Sequence, residues 1–227
     1  MSKLPPFPVA REGWPFVALF AFATLILWYI SLPLGWLGLI LTGWCVYFFR
    51  DPERVPPNAR KLLVSPADGK VLPIRRALPP PEIGMGEAPR QRVSIFMNVF
   101  DVHVNRLPVD GRVTNMAYHR GQFLNASFDK SSDLNERQSI RIATAGGGDI
   151  AVVQIAGLIA RRIVCRLEKG EECSIGERFG LIRFGSRVDV YLGDDMVPLV
   201  TPGQRVVGGE TVIARCLTSR EKKQSGE

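Results

Sequence analysis

Residues 181–192 read LIRFGSRVDVYL, and this stretch indicates how the chain folds. Two runs, 181–184 and 188–192, are rich in β-branched and other apolar residues, which predicts two short β-strands. The pair Gly185-Ser186 lies between them. Because Gly and Ser both favour turns, the pair taken alone predicts an ordinary connection between strands.

The same pair also has a chemical interpretation. Gly185 has no Cβ, so its carbonyl can be approached closely and its backbone can adopt strained dihedral angles. Ser186 places a hydroxyl just beyond that carbonyl, which is what an N-to-O acyl shift requires. If the resulting ester is broken by β-elimination, residue 186 becomes dehydroalanine and then a pyruvoyl group, a ketone made from the chain itself.

The part of the chain that follows residue 61 is predicted to be mainly β. Short runs rich in Val, Ile and Phe, separated by turn residues, predict strands at 62–64, 69–74, 93–97, 111–117, 138–144, 150–155, 162–164, 181–184, 188–192 and 211–214. Residues 65–71 and 200–210 resemble the turn-rich strand connections of lipoyl and biotinyl carrier domains. We therefore expect an antiparallel, barrel-sandwich-like β domain.

Residues 14–49 contain no Asp, Glu, Lys or Arg, which indicates a membrane segment. A single helix of this length would extend roughly 50 Å, well beyond a hydrocarbon core of about 30 Å. The sequence SLPLG at 31–35 supplies a break, which gives one apolar arm at 14–30 and another at 34–49. A two-helix membrane hairpin is expected, and a re-entrant loop stays open because both arms are short.

Basic residues flank the apolar segment on both sides: Lys3 and Arg11 before it, and Arg50, Arg54, Arg60 and Lys61 after it. Positive flanks favour the cytoplasmic side, so we expect the β domain to face the cytoplasm from the cell membrane. The net charge of +7 suits an anionic membrane surface. The basic residues are scattered and form no stripe with aromatics, so a nucleic-acid partner is not expected.

These features divide the chain into a polar leader at 1–12, the hairpin at 13–49, a linker at 50–61 and the β-rich domain at 62–227. The four cysteines, Cys45, Cys165, Cys173 and Cys216, form no CxxC pair and have no histidine nearby. A zinc site or a redox motif is therefore not expected, and no metal is assigned.

Three polar residues are candidates for catalysis. His103 is one of only two histidines, so acid–base chemistry by imidazole falls to it or to His119, unless it is a hydrogen-bonded structural residue. Asp68 lies in a PADG turn and either caps that turn or orients a histidine. An aspartate that orients a histidine that activates a serine is a general arrangement for a nucleophile. The G-x-S-x-G motif of hydrolases is missing at Ser186, which favours a serine that acts on its own backbone.

Six ordered motifs make the sequence resemble the phosphatidylserine decarboxylase family in its short form. They are FFRDP (48–52), SPADGKV (65–71), MNVFDVHVNRLPVDG (97–111), YHRGQF (118–123), NERQ (135–138) and RFGSRVDV (183–190). The likeness extends from Phe48 to Ala214, which is most of the chain.

The resemblance implies a proenzyme that cuts itself between Gly185 and Ser186. The products would be a β chain, 1–185, and an associated α chain, 186–227, which begins with the pyruvoyl cofactor derived from Ser186. His103 would activate the Ser186 hydroxyl, and Asp68 would orient its ring. The implied substrate is phosphatidylserine in the membrane and the product is phosphatidylethanolamine. His103 is also the expected proton donor after carbon dioxide leaves, and the oligomeric state stays open.

One position departs from the family pattern. Longer members have a second histidine three residues after the first, where this chain has Arg106. Either His103 therefore serves both cleavage and decarboxylation, or Arg106 contributes only charge. Arg106, His119 and Arg120 are further candidates to hold the substrate phosphate or carboxylate.

Two other functional classes remain as alternatives. A non-catalytic, membrane-anchored barrel-sandwich adaptor or carrier would explain the hairpin and the β domain. The chain, however, has no heptad repeat for an adaptor and no Met beside Lys70 for a carrier. A serine hydrolase acting on lipid is disfavoured by the missing motif around Ser186.

Overall fold

The structure is a computed structural model that describes residues 9–58, 61–124, 126, 134–146, 148–158, 162–183 and 185–217. Residues 1–8 of the expected leader and residues 218–227 of the expected α chain lie outside the described residues. The chain divides into two compact units, Met1–Glu53 and Arg54–Glu227. The boundary between them falls within the linker predicted at 50–61.

The first unit consists of a short 3-10 helix, Arg11–Gly13, and two α-helices, α1 (Trp14–Ile30) and α2 (Leu32–Phe48). Ser31 alone separates the helices, with an extended backbone at φ −164° and ψ 138°. The predicted start of the second arm at Leu34 is therefore wrong by two residues. Pro33 is accepted in the first turn of α2 because an N–H group at that position has no intrahelical partner.

The two helices run antiparallel and approach closely through small residues. A Cβ at Gly38 would lie 2.8 Å from Thr24 Oγ1, and one at Gly35 would lie 2.7 Å from the Trp28 ring. The Thr24 and Thr42 hydroxyl oxygens are 2.9 Å apart. The helix Arg11–Ile30 is long and apolar enough to cross a membrane, whereas Leu32–Phe48 is shorter. The structure thus contains the predicted pair of apolar helices.

The second unit is mainly antiparallel β, as predicted. Its described strands are β1 (Leu62–Val64), β2 (Gly69–Val71), β3 (Arg75–Ala77), β4 (Arg90–Met97), β5 (Val104–Arg106), β6 (Gly111–His119), β7 (Arg137–Thr144), β8 (Asp149–Ile155), β9 (Ile163–Cys165), β10 (Glu172–Cys173), β11 (Arg178–Ile182), β12 (Ser186–Tyr191), β13 (Met196–Pro198), β14 (Arg205–Val206) and β15 (Val212–Cys216). All ten predicted strands are found, β1 with the predicted bounds and the other nine with shifted ends. The five that were missed, β3, β5, β10, β13 and β14, are only two or three residues long.

The strands form one large sheet and two small ones. The large sheet has the order β10-β6-β7-β8-β12-β4-β2-β14, with β3 paired to β4. The small sheets have the orders β1-β15-β13 and β5-β11-β9. β12 lies inside the large sheet, where Val188 pairs with Ile95 of β4 and with Gln154 of β8.

Every residue of β12 is buried, because both faces of the large sheet are covered. On one face, Val188 and Val190 join the main apolar core. On the other face, Tyr191 packs in a smaller cluster with Ile83 and Met85, next to the 3-10 helix Pro81–Ile83. Burying each large apolar side chain stabilises the fold by about 1.5–3 kcal/mol, which holds β12 in register.

The chain passes from one sheet to another at the predicted cleavage site. β11 pairs with β5 and β9 in a small sheet, and β12 begins only four residues after β11 ends, in the large sheet. Gly185-Ser186 therefore lies at the junction between the two sheets. Because β5 also belongs to the small sheet, it brings His103, just before Val104, to this junction.

Candidate active site

Ser186 and Gly185 have the local geometry expected of a reactive peptide bond. Ser186 is fully buried, and its Oγ has no hydrogen-bond partner in the part of the chain that the structure describes. Burying a hydroxyl without a hydrogen-bond partner costs about 1–3 kcal/mol of folding free energy. Such a cost indicates that the hydroxyl has a chemical role. Gly185 has φ +31°, in the left-handed region that favours glycine. The backbone conformation therefore favours glycine at position 185, and the proposed chemistry requires the serine at position 186.

Gly157 lies directly against the carbonyl of Gly185. A Cβ at position 157 would lie 1.8 Å from the Gly185 carbonyl oxygen and 3.0 Å from its carbon. Only glycine fits such an approach without a shift of backbone atoms. Sequence reasoning missed this residue because Gly157, which follows β8, has the appearance of an ordinary turn glycine.

His103 is held beside the strand that leads to Ser186. Val104 pairs with Leu181, and the Ile182 N–H donates to the His103 carbonyl oxygen at 3.4 Å. The His103 ring is buried, with Nδ1 at 2.9 Å from the Asp101 carbonyl oxygen. A carbonyl only accepts hydrogen bonds, so Nδ1 carries a proton and Nε2 is the basic nitrogen of the neutral ring.

Asp68 is fixed by two hydrogen bonds. Its Oδ2 accepts from Arg54 Nη2 at 2.8 Å, and its Oδ1 accepts from the Gly208 N–H at 2.7 Å. Burial raises the pKa of the Asp68 carboxyl above its ordinary value, against the opposing effect of these two bonds. The nearby charge of Asp101 adds to the rise in this pKa.

The predicted pairing of Asp68 with His103 stays a prediction. β2 and β12 lie on opposite sides of β4, so the Asp68 and Ser186 backbones are roughly 10 Å apart at about 4.8 Å per strand. Asp101 is the residue that relates to both predicted partners, through its carbonyl to His103 and through its charge to Asp68. Sequence reasoning missed it because its contact with the ring uses a backbone atom.

The three predicted substrate contacts differ in location. Arg106 is buried, and its Nη1 donates to the Gly176 carbonyl oxygen at 3.0 Å. His119 and Arg120 are exposed at the end of β6. His119, Arg137, Ile155 and Arg187 pair in turn across four strands, which places His119 roughly 14 Å from Arg187. The structure therefore does not bring these three residues together around Ser186.

A buried amide pair links the two sheets behind the site. Gln154 Nε2 of β8 donates to Asn105 Oδ1 of β5 at 2.8 Å, and Asn105 Nδ2 lies 3.7 Å from Met97 Sδ of β4. Asn105 lies in β5, two residues after His103. The pair thus fixes the strand that carries His103 against the sheet that carries Ser186.

The residues that follow Ser186 are held by a buried ion pair on the opposite face of β12. Arg187 Nε and Nη2 donate to Asp189 Oδ1 and Oδ2 at 2.5 and 2.9 Å. Arg187 Nη2 also donates to Ser94 Oγ of β4 at 3.0 Å. The start of β12 is therefore anchored by side chains as well as by the strand ladder.

Comparison with known proteins places these residues in a family. The family model described as phosphatidylserine decarboxylase matches residues 41–214. The protein named phosphatidylserine decarboxylase proenzyme from Paramagnetospirillum magneticum is 57% identical over 227 residues, which cover 100% of this chain and 94% of the relative. Relatives of the same name from Cereibacter sphaeroides and Beijerinckia indica are 58% and 54% identical, and the matches cover 96% and 95% of this chain and 94% and 92% of those proteins.

Proposed function

This chain belongs to the phosphatidylserine decarboxylase family, as its motifs predicted, and we propose that it makes its own pyruvoyl group by cutting itself between Gly185 and Ser186. The chain is a decarboxylase, and the names of its relatives support the conversion of phosphatidylserine to phosphatidylethanolamine. The observation that carries the proposal is the fully buried Ser186 hydroxyl next to a glycine at φ +31°. Both features fit a prosthetic group that is built from residue 186 itself.

The proposed cleavage begins with attack of Ser186 Oγ on the carbonyl carbon of Gly185. The C–O bond forms, the C–N bond breaks, and the hydroxyl proton passes to the amine nitrogen of residue 186. Loss of the Cα proton and breakage of the Cβ–Oγ bond then release the β chain with a carboxylate at Gly185. Water converts the remaining dehydroalanine into the pyruvoyl group and ammonia. His103 is the proposed base, because its Nε2 is the nitrogen that can accept the hydroxyl proton.

Asp68 is proposed to assist His103 through its charge. Its carboxylate is fixed by Arg54 and Gly208, and a negative charge on that side of β4 favours the protonated ring that forms when His103 takes a proton. This electrostatic role does not depend on a direct hydrogen bond between Asp68 and His103. It predicts a smaller effect of substitution at Asp68 than at His103.

After cleavage, residue 186 would itself be the prosthetic group. It would lie at the buried start of β12, between β4 and β8. Such a ketone, when present, takes up the substrate amine and the electron pair released as carbon dioxide leaves. His103 is proposed to return a proton to the substrate α-carbon. His119 and Arg120 are exposed cationic candidates for the lipid phosphate, whereas Arg106 would have to leave the Gly176 carbonyl to take that role.

We also propose that α1 and α2 anchor the enzyme in the cell membrane, with the β domain on the cytoplasmic side. Apolar side chains on both helices are highly exposed, for example Leu25 and Ile40, each at 67%. The basic flanking residues Arg11 and Arg50 favour cytoplasmic ends. The protein should therefore stay with the membrane fraction during alkaline carbonate extraction, and its release by carbonate would contradict this anchoring.

Intact mass spectrometry of the protein in lipid nanodiscs tests the cleavage, with Ser186→Ala as the control. We expect two fragments, 1–185 and 186–227, the smaller one bearing a pyruvoyl mass, and formation of phosphatidylethanolamine. The variant should give one chain and no product. An uncut wild-type chain that still decarboxylates would overturn the proposal, whereas an uncut and inactive chain would favour the adaptor or carrier alternative.

A further inference from the structure

We propose that Gly157 and Asn135 are positioning residues that fix the direction of the Gly185 carbonyl for attack by Ser186. The inference rests on the cleavage proposed above and goes beyond it by assigning the residues that fix the direction of the Gly185 carbonyl. Its basis is the approach of Gly157 to the Gly185 carbonyl, where an added Cβ would lie 1.8 Å from the oxygen. The same Cβ would also lie 3.4 Å from the Ala126 side chain, so both sides of the position are filled.

Asn135 prevents Gly157 from moving away. Its Nδ2 donates to the Ala156 carbonyl oxygen at 2.7 Å, one residue before Gly157. The same amide bonds the Leu124 carbonyl oxygen at 2.8 Å and accepts from the Leu124 N–H at 3.0 Å. Asn135 is fully buried, so water does not compete for these bonds. The Ala156 N–H also donates to the Glu136 carbonyl oxygen at 2.9 Å, so the peptide groups before and after Ala156 are both held by hydrogen bonds.

The carbonyl needs such a support because a glycine backbone has a wider range of allowed conformations than any other residue. Without a Cβ, the backbone of Gly185 can rotate through conformations that point its carbonyl away from Ser186 Oγ. As the hydroxyl attacks, the carbonyl carbon becomes tetrahedral and its oxygen takes up negative charge. A misplacement of about 1 Å in a reacting group can cost about 100-fold in rate. The rigid segment 156–157 limits the oxygen to one direction.

Gly157→Ala is the direct test, and Gly146→Ala is the matched control. Both replace a glycine of the β domain, but no atom of the described residues lies within 4 Å of the position that a Cβ would take at Gly146. After refolding of denatured, uncut chains, we expect Gly157→Ala to split about 100-fold more slowly than wild type. Gly146→Ala should split at the wild-type rate. Equal rates for Gly157→Ala and wild type would overturn the inference, whereas a wild-type chain that does not split would instead refute the proposed function.

Hydroxylamine separates positioning from later steps, because it cuts the ester and leaves a hydroxamate on Gly185. Wild type should yield this hydroxamate rapidly, and Gly157→Ala should yield it as slowly as it splits. Rapid hydroxamate formation in Gly157→Ala would show that its ester forms normally and would overturn the inference. Thermal unfolding of uncut Gly157→Ala should match that of uncut Ser186→Ala, since a general loss of folding would separate them.

Asn135→Asp decides the question if Gly157→Ala does not fold. The carboxylate keeps the size and the acceptor of Asn135, but it cannot donate to the Ala156 carbonyl. We expect slower splitting and slower hydroxamate formation, by the same factor, in chains that fold. Splitting at the wild-type rate would overturn the inference.

Discussion

At the scale of single residues, His103 has a defined tautomer, because the Asp101 carbonyl accepts a hydrogen bond from Nδ1. We expect His103→Ala to slow chain splitting by about 10²–10⁴-fold, the usual contribution of a positioned base. Added imidazole should restore part of the rate by filling the vacated site. The measurement is the time course of the two fragments on a denaturing gel, and an unchanged rate would exclude His103 as the base.

Arg106 and Arg120 should respond differently to truncation. Arg106→Ala leaves the Gly176 carbonyl without its donor, so we expect the free energy of unfolding to fall by about 1–3 kcal/mol. Arg120→Ala changes an exposed residue and should alter stability by no more than about 0.5 kcal/mol. If Arg120 holds the lipid phosphate, its loss should raise KM for phosphatidylserine with little change in kcat. An unchanged KM would remove Arg120 from the binding site.

Some site residues are visible in the sequence and others are not. Gly185 and Ser186 are adjacent and form a recognisable motif, so their chemistry follows from local sequence. The approach of Gly157 to Gly185 depends on the register of strands far apart in the chain, and no local pattern encodes it. The contact between Asp101 and His103 uses a backbone carbonyl, which every residue carries.

At the scale of secondary-structure elements, β12 combines a buried ion pair with a continuous strand ladder. Asp189→Asn removes the charge that Arg187 and Arg92 face, with Arg92 Nε at 3.8 Å from Asp189 Oδ2. We expect a loss of about 3–5 kcal/mol, because buried positive charge is left without its anion. The double variant Arg187→Met/Asp189→Leu should lose less. Denaturant unfolding in the uncut Ser186→Ala background measures both, and a loss in the double variant as large as that in Asp189→Asn would contradict this explanation.

The ion pair of Glu82 with β7 predicts a pH dependence. Arg137 donates to both carboxylate oxygens of Glu82, at 2.8 and 3.2 Å, and Ser139 Oγ donates at 3.2 Å. Burial alone would raise the pKa of Glu82, but these bonds outweigh it and lower the pKa below 4.5. The stabilisation is thus present above pH 4.5 and is lost as the pH falls through the lowered value.

Glu82→Gln should remove this part of the acid sensitivity. Its urea midpoint should lie below that of the unsubstituted chain at neutral pH, and the difference should shrink in acid. Glu172→Gln is the control, since the Glu172 side chain is 76% exposed and its pair with Arg112 is a surface one. A difference that does not depend on pH would contradict the assigned role of Glu82.

Element prediction succeeded where a run was long enough to show a pattern. The strands β4, β6, β7 and β8 have seven to nine residues and alternate or repeat apolar side chains, so they were found. β5 reads only VNR, with the Asn and Arg buried by tertiary contacts that its sequence does not reveal. The break between α1 and α2 was assigned to SLPLG, but Ser31 alone makes it.

At the scale of the whole molecule, strands of the proposed α chain pair with strands of the proposed β chain. β12 pairs with β4 and β8, β14 with β2, and β15 with β1. We expect the two fragments to elute together in size-exclusion chromatography under native conditions and to separate only in denaturant. Loss of the small fragment on a native column would contradict this arrangement.

Because Ser186 lies at the junction of two sheets, the proposed cleavage would occur only after both sheets have formed. His103 meets the Ile182 strand only after β5 and β11 have paired across about eighty positions of sequence, and Gly157 arrives only with β8. A chain that has not assembled these parts should stay in one piece. Because each chain is cut only once, a split chain would show that the molecule has reached its native state. The ratio of whole to split chains in a cell extract would then count the copies that have folded, without any added reporter.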